Sequence, residues 1–110
     1  MCIRELIEKS ISKFDLKKFI IVYGMTEIGF TTSSIIHKLT KDKRKILSIG
    51  KPEPFTMFKI VDFNSRLPVP HDQVGLLYVK AYSTLDFYWN DPEKSKEAFD
   101  KDGWYLVYLV

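Results

Sequence analysis

The apolar run from Phe19 to Tyr23 limits the folds open to this chain more than any other feature. The run reads Phe-Ile-Ile-Val-Tyr, is partly β-branched and ends at Gly24. A short, continuously apolar run that ends at a turn residue predicts a buried strand, as in a sheet covered on both faces. The segment before it has the apolar spacing of an amphipathic helix, at Ile3, Leu6, Ile7, Ile11 and Phe14. Together these features predict an α/β layer built from one helix and one buried strand.

The chain beyond this strand predicts a second, antiparallel kind of layer. Small and polar residues from Gly29 to Ser34 indicate a loop. Strand patterns then span Met57 to Asp62 and Leu76 to Tyr82, and prolines and other turn residues separate them. Short strands punctuated in this way favour a small antiparallel or barrel-like β subdomain.

A break near Lys51 separates the α/β layer from the β subdomain, and a short helix is predicted towards the end of the chain. Asp91 can cap this helix, Pro92 suits its first position, and the pattern runs to about Phe99. An uncharged apolar run from Tyr105 to Val110 follows, which is typical of segments that pair with their own copies. We expect this last run to be exposed.

Composition excludes several classes of function. The net charge of +3, from 17 basic and 14 acidic residues, is too small to indicate a nucleic-acid partner. The single cysteine, Cys2, excludes an intrachain disulfide and a multi-cysteine zinc site. No apolar stretch approaches the roughly 20 residues that span a bilayer, and the first residues do not have the pattern of a secretory signal. We therefore expect an intracellular protein with no transmembrane segment, and the choice between mitochondrion and cytoplasm stays open.

The predicted strand leads into Tyr23-Gly24-Met25-Thr26-Glu27, whose residue types suit a nucleotide. Ligand sites in open α/β sheets form beyond the carboxyl ends of the strands. An aromatic ring can stack on a purine, glycine lets the backbone approach a ligand, and a threonine hydroxyl can donate to a phosphate oxygen. A glutamate is a hard oxygen ligand for Mg²⁺. The residues alone leave a second interpretation open, in which this is a strand end and turn with an incidental polar tail.

Further motifs follow in the sequence and give this segment a context. They are Ser48-Ile49-Gly50-Lys51-Pro52, Lys59-Ile60-Val61-Asp62 with Leu67-Pro68, Val74 to Lys80, Tyr88 to Glu93, and Ala98-Phe99 with Asp102-Gly103-Trp104. In this order they resemble the adenylate-forming superfamily, which includes acyl-CoA synthetases, luciferase-like enzymes and the adenylation domains of peptide synthetases. The segment from Arg4 to Lys9 is most similar to the medium-chain fatty acyl-CoA synthetase branch.

The resemblance implies a reaction, a set of cofactors and a role for each motif residue. A fatty acid carboxylate would react with ATP to give an acyl-adenylate, and coenzyme A would then displace AMP. Tyr23 would stack on adenine, while Gly24 and Met25 would line the junction of the nucleotide and acyl pockets. Thr26 and Glu27 would be catalytic, Thr26 by holding a phosphate oxygen and Glu27 by binding Mg²⁺. The implied cofactors are thus ATP or AMP, Mg²⁺ and coenzyme A, and the partner is a small-molecule carboxylate.

The resemblance also implies that the chain is part of the large domain of an adenylate-forming enzyme. Residues 1–110 would be a fragment of one AMP-binding domain, with the end of an α/β subdomain in 1–50 and a β subdomain piece in 51–110. No glycine-rich phosphate-binding loop precedes Tyr23, and the family's C-terminal lysine has no counterpart. The family's ribose-binding aspartate would follow Tyr105, yet Leu106 to Val110 contain no carboxylate.

These departures lead to two expectations about function. The first is a fragment of an ATP-dependent acyl-CoA synthetase that is inactive alone. The second is a truncated, non-catalytic paralogue that serves as a nucleotide-binding or interaction module. Whether the chain is an enzyme in its own right is left open by the sequence.

Overall fold

The computed structural model describes residues 3–38 and 42–107. Its helices and strands are, in chain order, α1 (Ile3–Lys13), β1 (Lys18–Met25), β2 (Gly29–His37), α2 (Lys43–Leu47), β3 (Lys51–Pro52), β4 (Thr56–Val61), β5 (Leu76–Ala81), α3 (Pro92–Ala98) and β6 (Tyr105–Val107). The strands form two three-stranded sheets, ordered β1-β2-β3 and β4-β5-β6. This mixed arrangement of helices and small antiparallel sheets agrees with the predicted fold class.

The residues gather into two compact units. The first unit contains Met1–Gly24 and Phe30–Glu53, and the second contains Met25–Gly29 and Pro54–Val110. The boundary at residue 50, between the end of an α/β subdomain and a β subdomain piece of an AMP-binding domain, stays a prediction. No helix in 3–38 or 42–107 combines the length and apolar character that crossing a membrane requires.

Helix α1 supplies one side of the core of the first unit. Ile7 and Ile11 are four positions apart, lie on the same helix face and are both buried. They pack with Ile36 from β2 and Ile46 from α2. The predicted stripe is therefore confirmed at Ile7 and Ile11 but is wrong at Leu6 and Phe14, which are 49% and 66% exposed.

Strand β1 confirms the predicted strand but is covered on one face only. Phe19 and Ile21 pack against the isoleucine cluster under α1. Ile20 and Val22, which point the other way, are 58% and 53% exposed. The prediction of burial on both faces was wrong for this chain because α1 covers one face, and no other described element of the first unit covers the second.

The segment from Gly29 to Ser34 is not the predicted loop but the first part of β2. Thr31 and Thr32 are buried there. The Thr31 hydroxyl donates to the Tyr23 carbonyl at 3.2 Å, and the Thr32 hydroxyl donates to the Ile49 carbonyl at 2.6 Å. Because each hydroxyl finds an acceptor, these polar side chains can be buried in a strand, and their polarity misled the sequence-based prediction.

The turn before β3 requires glycine at position 50. Gly50 has φ of +96°, and a Cβ built there would overlap the backbone carbonyl of Ser33. This close approach lets Lys51 pair with Ser33 and Pro52 pair with Thr32, antiparallel to β2.

The second unit is built around β5, which is buried on both faces. Its residues pair with β4 from Val61↔Leu76 to Thr56↔Ala81, and with β6 from Leu77↔Val107 to Val79↔Tyr105, all antiparallel. Tyr105 and Val107 are buried, so the prediction that the last apolar run is exposed was wrong for these residues. The reason is that β6 completes the sheet on the second edge of β5. Residues 108–110 of the run, like Cys2, lie outside the described residues.

Helix α3 begins as predicted and ends one residue earlier than the predicted limit. The Asp91 carboxylate accepts a hydrogen bond from the Lys94 N–H at 3.0 Å, which caps the first turn, and Pro92 occupies the first helical position.

A lysine–aspartate pair joins β4 to the loop before β6. The Lys59 Nζ lies 2.6 Å from the Asp100 carboxylate and sits 4.9 Å from the Tyr78 ring centroid and 4.6 Å from that of Trp104. Asp100 also accepts hydrogen bonds from the N–H groups of Asp102 and Trp104, each at 2.9 Å. Burial alone would raise the pKa of Asp100, but the Lys59 ammonium and the two N–H donors outweigh it and hold the pKa below its usual value.

We predict that Asp100→Asn destabilises the chain at neutral pH and weakens its response to acid. A carboxyl whose pKa is lowered by folding stabilises the native state above its unfolded-state pKa, about 3.9, and loses that contribution as pH falls through the native value. The substitution should lower the free energy of unfolding at pH 7 by about 1–2 kcal/mol and by less at pH 3. Urea denaturation at both pH values measures this, with Asp86→Asn, at an exposed position, as control. Equal losses at both pH values would contradict the prediction.

A second prediction concerns the turn at Gly50. Gly50→Ala should destabilise the chain by about 1–3 kcal/mol more than Gly103→Ala, because only Gly50 faces backbone that must move. Both glycines have positive φ, but the nearest atom to a Cβ at Gly103 is the Lys80 Nζ at 3.9 Å. Both variants therefore place an alanine at positive φ, but only Gly50→Ala also brings a Cβ against backbone atoms. Denaturant midpoints measure the difference, and equal midpoints would exclude the close approach to Ser33.

Candidate nucleotide-binding segment

The segment from Tyr23 to Glu27 lies at the end of β1 and in the turn that leads to β2. Tyr23, Gly24 and Met25 are the last residues of the strand, and Thr26 begins the turn. Tyr23 and Gly24 belong to the first unit, whereas Met25, Thr26 and Glu27 belong to the second. The position at a strand end is the one predicted from the sequence.

In the first unit, the sheet fixes the backbone at Tyr23. The Tyr23 carbonyl accepts the hydroxyl hydrogen bond of Thr31, a residue with no exposed surface. The Tyr23 side chain is half-buried and Gly24 is exposed. Within the first unit, the Tyr23 ring and the Gly24 backbone are therefore the parts of this segment that a ligand can contact.

In the second unit, the turn is held by the loop that follows β5. The Leu85 N–H donates to the Glu27 carbonyl at 2.7 Å, and the Ser83 hydroxyl donates to the Ile28 carbonyl at 2.6 Å. Ile28 itself is completely buried, and its N–H donates to the Met25 carbonyl at 3.1 Å. These contacts fix the backbone of the turn on both sides of Glu27, so its position does not depend on the side chain alone.

The side chains of the turn present polar atoms towards solvent. Met25 and Thr26 are exposed, and Glu27 is half-buried. The Tyr88 hydroxyl donates to Glu27 Oε1 at 3.3 Å, and it lies 3.0 Å from the Tyr105 hydroxyl. An exposed threonine thus precedes, in the chain, a glutamate whose carboxylate is held at one oxygen.

The carboxylate of Glu27 fits the role of a magnesium ligand in the company of a nucleotide. Within residues 3–38 and 42–107, no group of three His, Cys, Asp or Glu side chains gathers to hold a metal by itself. Mg²⁺ commonly takes one or two carboxylates and completes its octahedron with phosphate oxygens and water. A single half-buried carboxylate with one oxygen anchored suits that kind of site better than it suits a metal cage made of protein ligands alone.

Tyr88 is the residue beside this segment that the sequence did not assign to it. The contact with Glu27 spans 61 positions, and no local pattern of residues reveals such a pair. Its place in the motif from Tyr88 to Glu93 was the only available signal.

Comparison with known proteins decides the family. The family described as AMP-binding enzyme matches residues 2–89. The chain belongs to this family. The match covers the segment from Tyr23 to Glu27 and the sheet of β4 and β5.

Individual relatives and solved structures support the same family assignment. The medium-chain acyl-CoA ligase ACSF2, mitochondrial, of Danio rerio is 33% identical over 110 residues, which covers 94% of this chain and 17% of that protein. Among solved structures, McyG A-PCP complexed with phenylalanyl-adenylate matches with a TM-score of 0.75 and 28% identity over 94% of this chain and 20% of that one. ATP-bound MatB from Rhodopseudomonas palustris matches with a TM-score of 0.67 and 27% identity over 80% of this chain and 17% of that one.

These findings confirm the resemblance to adenylate-forming enzymes of the acyl-CoA synthetase type and to the medium-chain branch. They also confirm the fold class, since the structural neighbours are adenylate-forming enzyme domains. The chain spans about one sixth of the length of the curated relatives that it matches. It is therefore similar to one part of those proteins.

Proposed function

We propose that this chain is the adenine- and Mg²⁺-binding part of an ATP-dependent acyl-CoA synthetase. The observation that carries the proposal is the anchored Glu27 carboxylate in the turn after β1, within the residues that match the AMP-binding family. The names of the relatives support the class of substrate, since they are medium-chain acyl-CoA ligases. ATP and an acyl-adenylate appear in the names of two similar structures.

The proposed reaction has two steps. A fatty acid carboxylate attacks the α-phosphorus of ATP, the bond to pyrophosphate breaks, and an acyl-adenylate forms. The thiolate of coenzyme A then attacks the acyl carbonyl, and AMP leaves as the thioester forms. Both steps gain mainly from positioning the reactants and from stabilising charge.

Each residue of the segment has one proposed task. The Tyr23 ring stacks on adenine, and Gly24 and Met25 line the junction between nucleotide and acyl group. The exposed Thr26 hydroxyl donates to a phosphate oxygen, and the Glu27 carboxylate holds Mg²⁺. The metal supplies neutralisation of the phosphate charge. Glu27, whose backbone is fixed by Leu85, would hold the metal when it is bound.

A second candidate is a non-catalytic paralogue that binds nucleotide or another partner. One observation favours it: the apolar residues Leu106 and Val107 continue β6 where the family has its polar ribose-binding segment. Val107 is buried in the sheet, so this stretch has a packing role. A Glu27 carboxylate that is held by the Tyr88 hydroxyl is consistent with either candidate function, and catalytic assays separate the two.

The proposed partners are a fatty acid and coenzyme A, and a nucleic acid is not among them. We propose an intracellular location, in the mitochondrion or the cytoplasm. The relative from Danio rerio is named as mitochondrial.

We predict that residues 1–110 expressed alone have no acyl-CoA synthetase activity. These residues contain no phosphate-binding loop, no ribose-binding aspartate and no C-terminal lysine of the family pattern. Each such contact contributes several kcal/mol of transition-state stabilisation, so loss of three should leave no measurable rate. Pyrophosphate release with ATP, Mg²⁺ and a panel of fatty acids tests this. Turnover clearly above that of Glu27→Ala would contradict it.

A further prediction separates the two steps of the reaction. In a chimaera in which residues 3–107 replace the matching part of a complete medium-chain acyl-CoA ligase, Glu27→Gln should slow adenylation on the order of 100-fold. Thioester formation from pre-made acyl-adenylate should change much less, because pyrophosphate has already left. ATP–pyrophosphate exchange and thioester formation are compared, with the exposed Glu97→Gln as control. Equal losses in both assays would count against the metal role.

A further inference from the structure

We propose that Tyr88 is a positioning residue for the Glu27 carboxylate, and that Tyr105 supports it through a second hydrogen bond. The inference rests on the proposed function, because it assigns a role through Glu27. It concerns three residues of the second unit that come from the turn after β1, the loop before α3, and β6. Nothing in the sequence pattern of any one of these segments assigns this role.

The direction of the hydrogen bonds follows from what each group can donate. The Tyr88 hydroxyl donates to Glu27 Oε1 at 3.3 Å, since an ionised carboxylate only accepts. A phenol has one hydrogen, so Tyr88 has none left for the Tyr105 oxygen 3.0 Å away. With the Tyr88 hydrogen directed to Glu27, we assign Tyr105 as the donor of that second bond. The result is one ordered chain, from the Tyr105 hydroxyl to the Tyr88 hydroxyl to Glu27, in which each bond polarises the next.

The inner end of this chain is rigid. Tyr105 is 5% exposed and pairs with Val79 in the β5–β6 ladder. Its ring meets that of Phe99 edge to face, with centroids 5.5 Å apart. The hydroxyl of Tyr105 is thus held at a fixed place by the sheet, and it can orient the Tyr88 hydroxyl.

Tyr88 is fixed independently by the start of α3. Its N–H donates to the Ser95 hydroxyl oxygen at 2.8 Å, and that hydroxyl in turn donates to the Asp91 carbonyl at 2.8 Å. The Lys94 ammonium lies 4.3 Å from the centroid of the Tyr88 ring. Backbone and ring are therefore both restrained without Glu27, which is what a residue that positions another requires.

These contacts restrict the conformations that the Glu27 side chain can adopt. A glutamate side chain has several rotatable bonds, and ordering it as a metal ligand costs conformational entropy. The backbone bond from Leu85 fixes one end of this residue and the Tyr88 hydroxyl fixes the other. Hydrogen-bonded supports of this kind commonly change metal affinity or activity by about 10–100-fold.

The first experiment tests the hydrogen bond without any ligand, on the 110-residue chain. The ¹³C carboxyl resonance of Glu27 is compared in the unsubstituted chain, Tyr88→Phe and Tyr82→Phe. Tyr82 is 85% exposed and gives a matched control for loss of a tyrosine hydroxyl. We expect the resonance to shift in Tyr88→Phe and to stay in place in Tyr82→Phe, with thermal unfolding monitored in each. An unshifted resonance in a folded Tyr88→Phe chain would overturn the inference while leaving the proposed function untouched.

The second experiment tests the consequence for metal binding, in the same chimaera used for Glu27→Gln. Tyr88→Phe should raise the Mg²⁺ concentration for half-maximal ATP–pyrophosphate exchange by about tenfold, with little change in the KM for the fatty acid. Saturating Mg²⁺ should restore most of the rate, which a simple loss of folded enzyme would not allow. Tyr105→Phe should act in the same direction but less, because it works through Tyr88.

The outcomes distinguish the inference from the function on which it rests. If Glu27→Gln raises the Mg²⁺ requirement and Tyr88→Phe leaves it unchanged, the metal role stands and the positioning role is wrong. If Glu27→Gln leaves the Mg²⁺ dependence unchanged, the metal role of Glu27 is wrong and the role of Tyr88 fails with it. A raised Mg²⁺ requirement in Tyr88→Phe with none in Tyr82→Phe supports both.

Discussion

The hydrogen bond from the Leu85 N–H to the Glu27 carbonyl, at 2.7 Å, is the contact on which the candidate site depends. It fastens the turn after β1 to the loop that follows β5, and the Ser83 bond to the next carbonyl adds a second point of attachment. Ile28, the next residue, is completely buried, whereas Glu27 is half-buried. Its carboxylate is left at the surface of the second unit, where the Tyr88 hydroxyl meets it.

The sheet of β4, β5 and β6 makes that attachment possible. Strand β5 is paired on both edges, and the loop that leaves it carries Ser83 and Leu85 to the turn. Strand β6 brings the Tyr105 hydroxyl to the same place. The Asp100 carboxylate, paired with Lys59, accepts the Trp104 N–H, so the residue before Tyr105 is held by this loop. The strand pairing and the Lys59–Asp100 ion pair of the second unit thus both help to fix the segments that surround the Glu27 carboxylate.

Sequence patterns predicted the structural features that depend on residues close together in the chain. The strand at Phe19–Tyr23 and the cap at Asp91 follow from apolar runs and from a side chain that satisfies nearby N–H groups. The start of β2 was missed because burial of Thr31 and Thr32 depends on carbonyl acceptors elsewhere in the chain. Exposure of one face of β1 was missed because an apolar run does not say how many layers cover it. The family and the position of Tyr23–Glu27 at a strand end were predictable, whereas the Tyr88 contact needed coordinates.

The central claim is that the Glu27 carboxylate binds the metal of a metal–nucleotide complex. A crystal structure of the chimaera with Mn²⁺ in place of Mg²⁺ and a non-hydrolysable ATP analogue tests it most directly, since anomalous scattering locates the ion. We expect one Glu27 carboxylate oxygen to lie about 2.0–2.3 Å from the ion, with phosphate oxygens completing the coordination. An ion bound to the same phosphates but beyond about 4 Å from both Glu27 oxygens would contradict it.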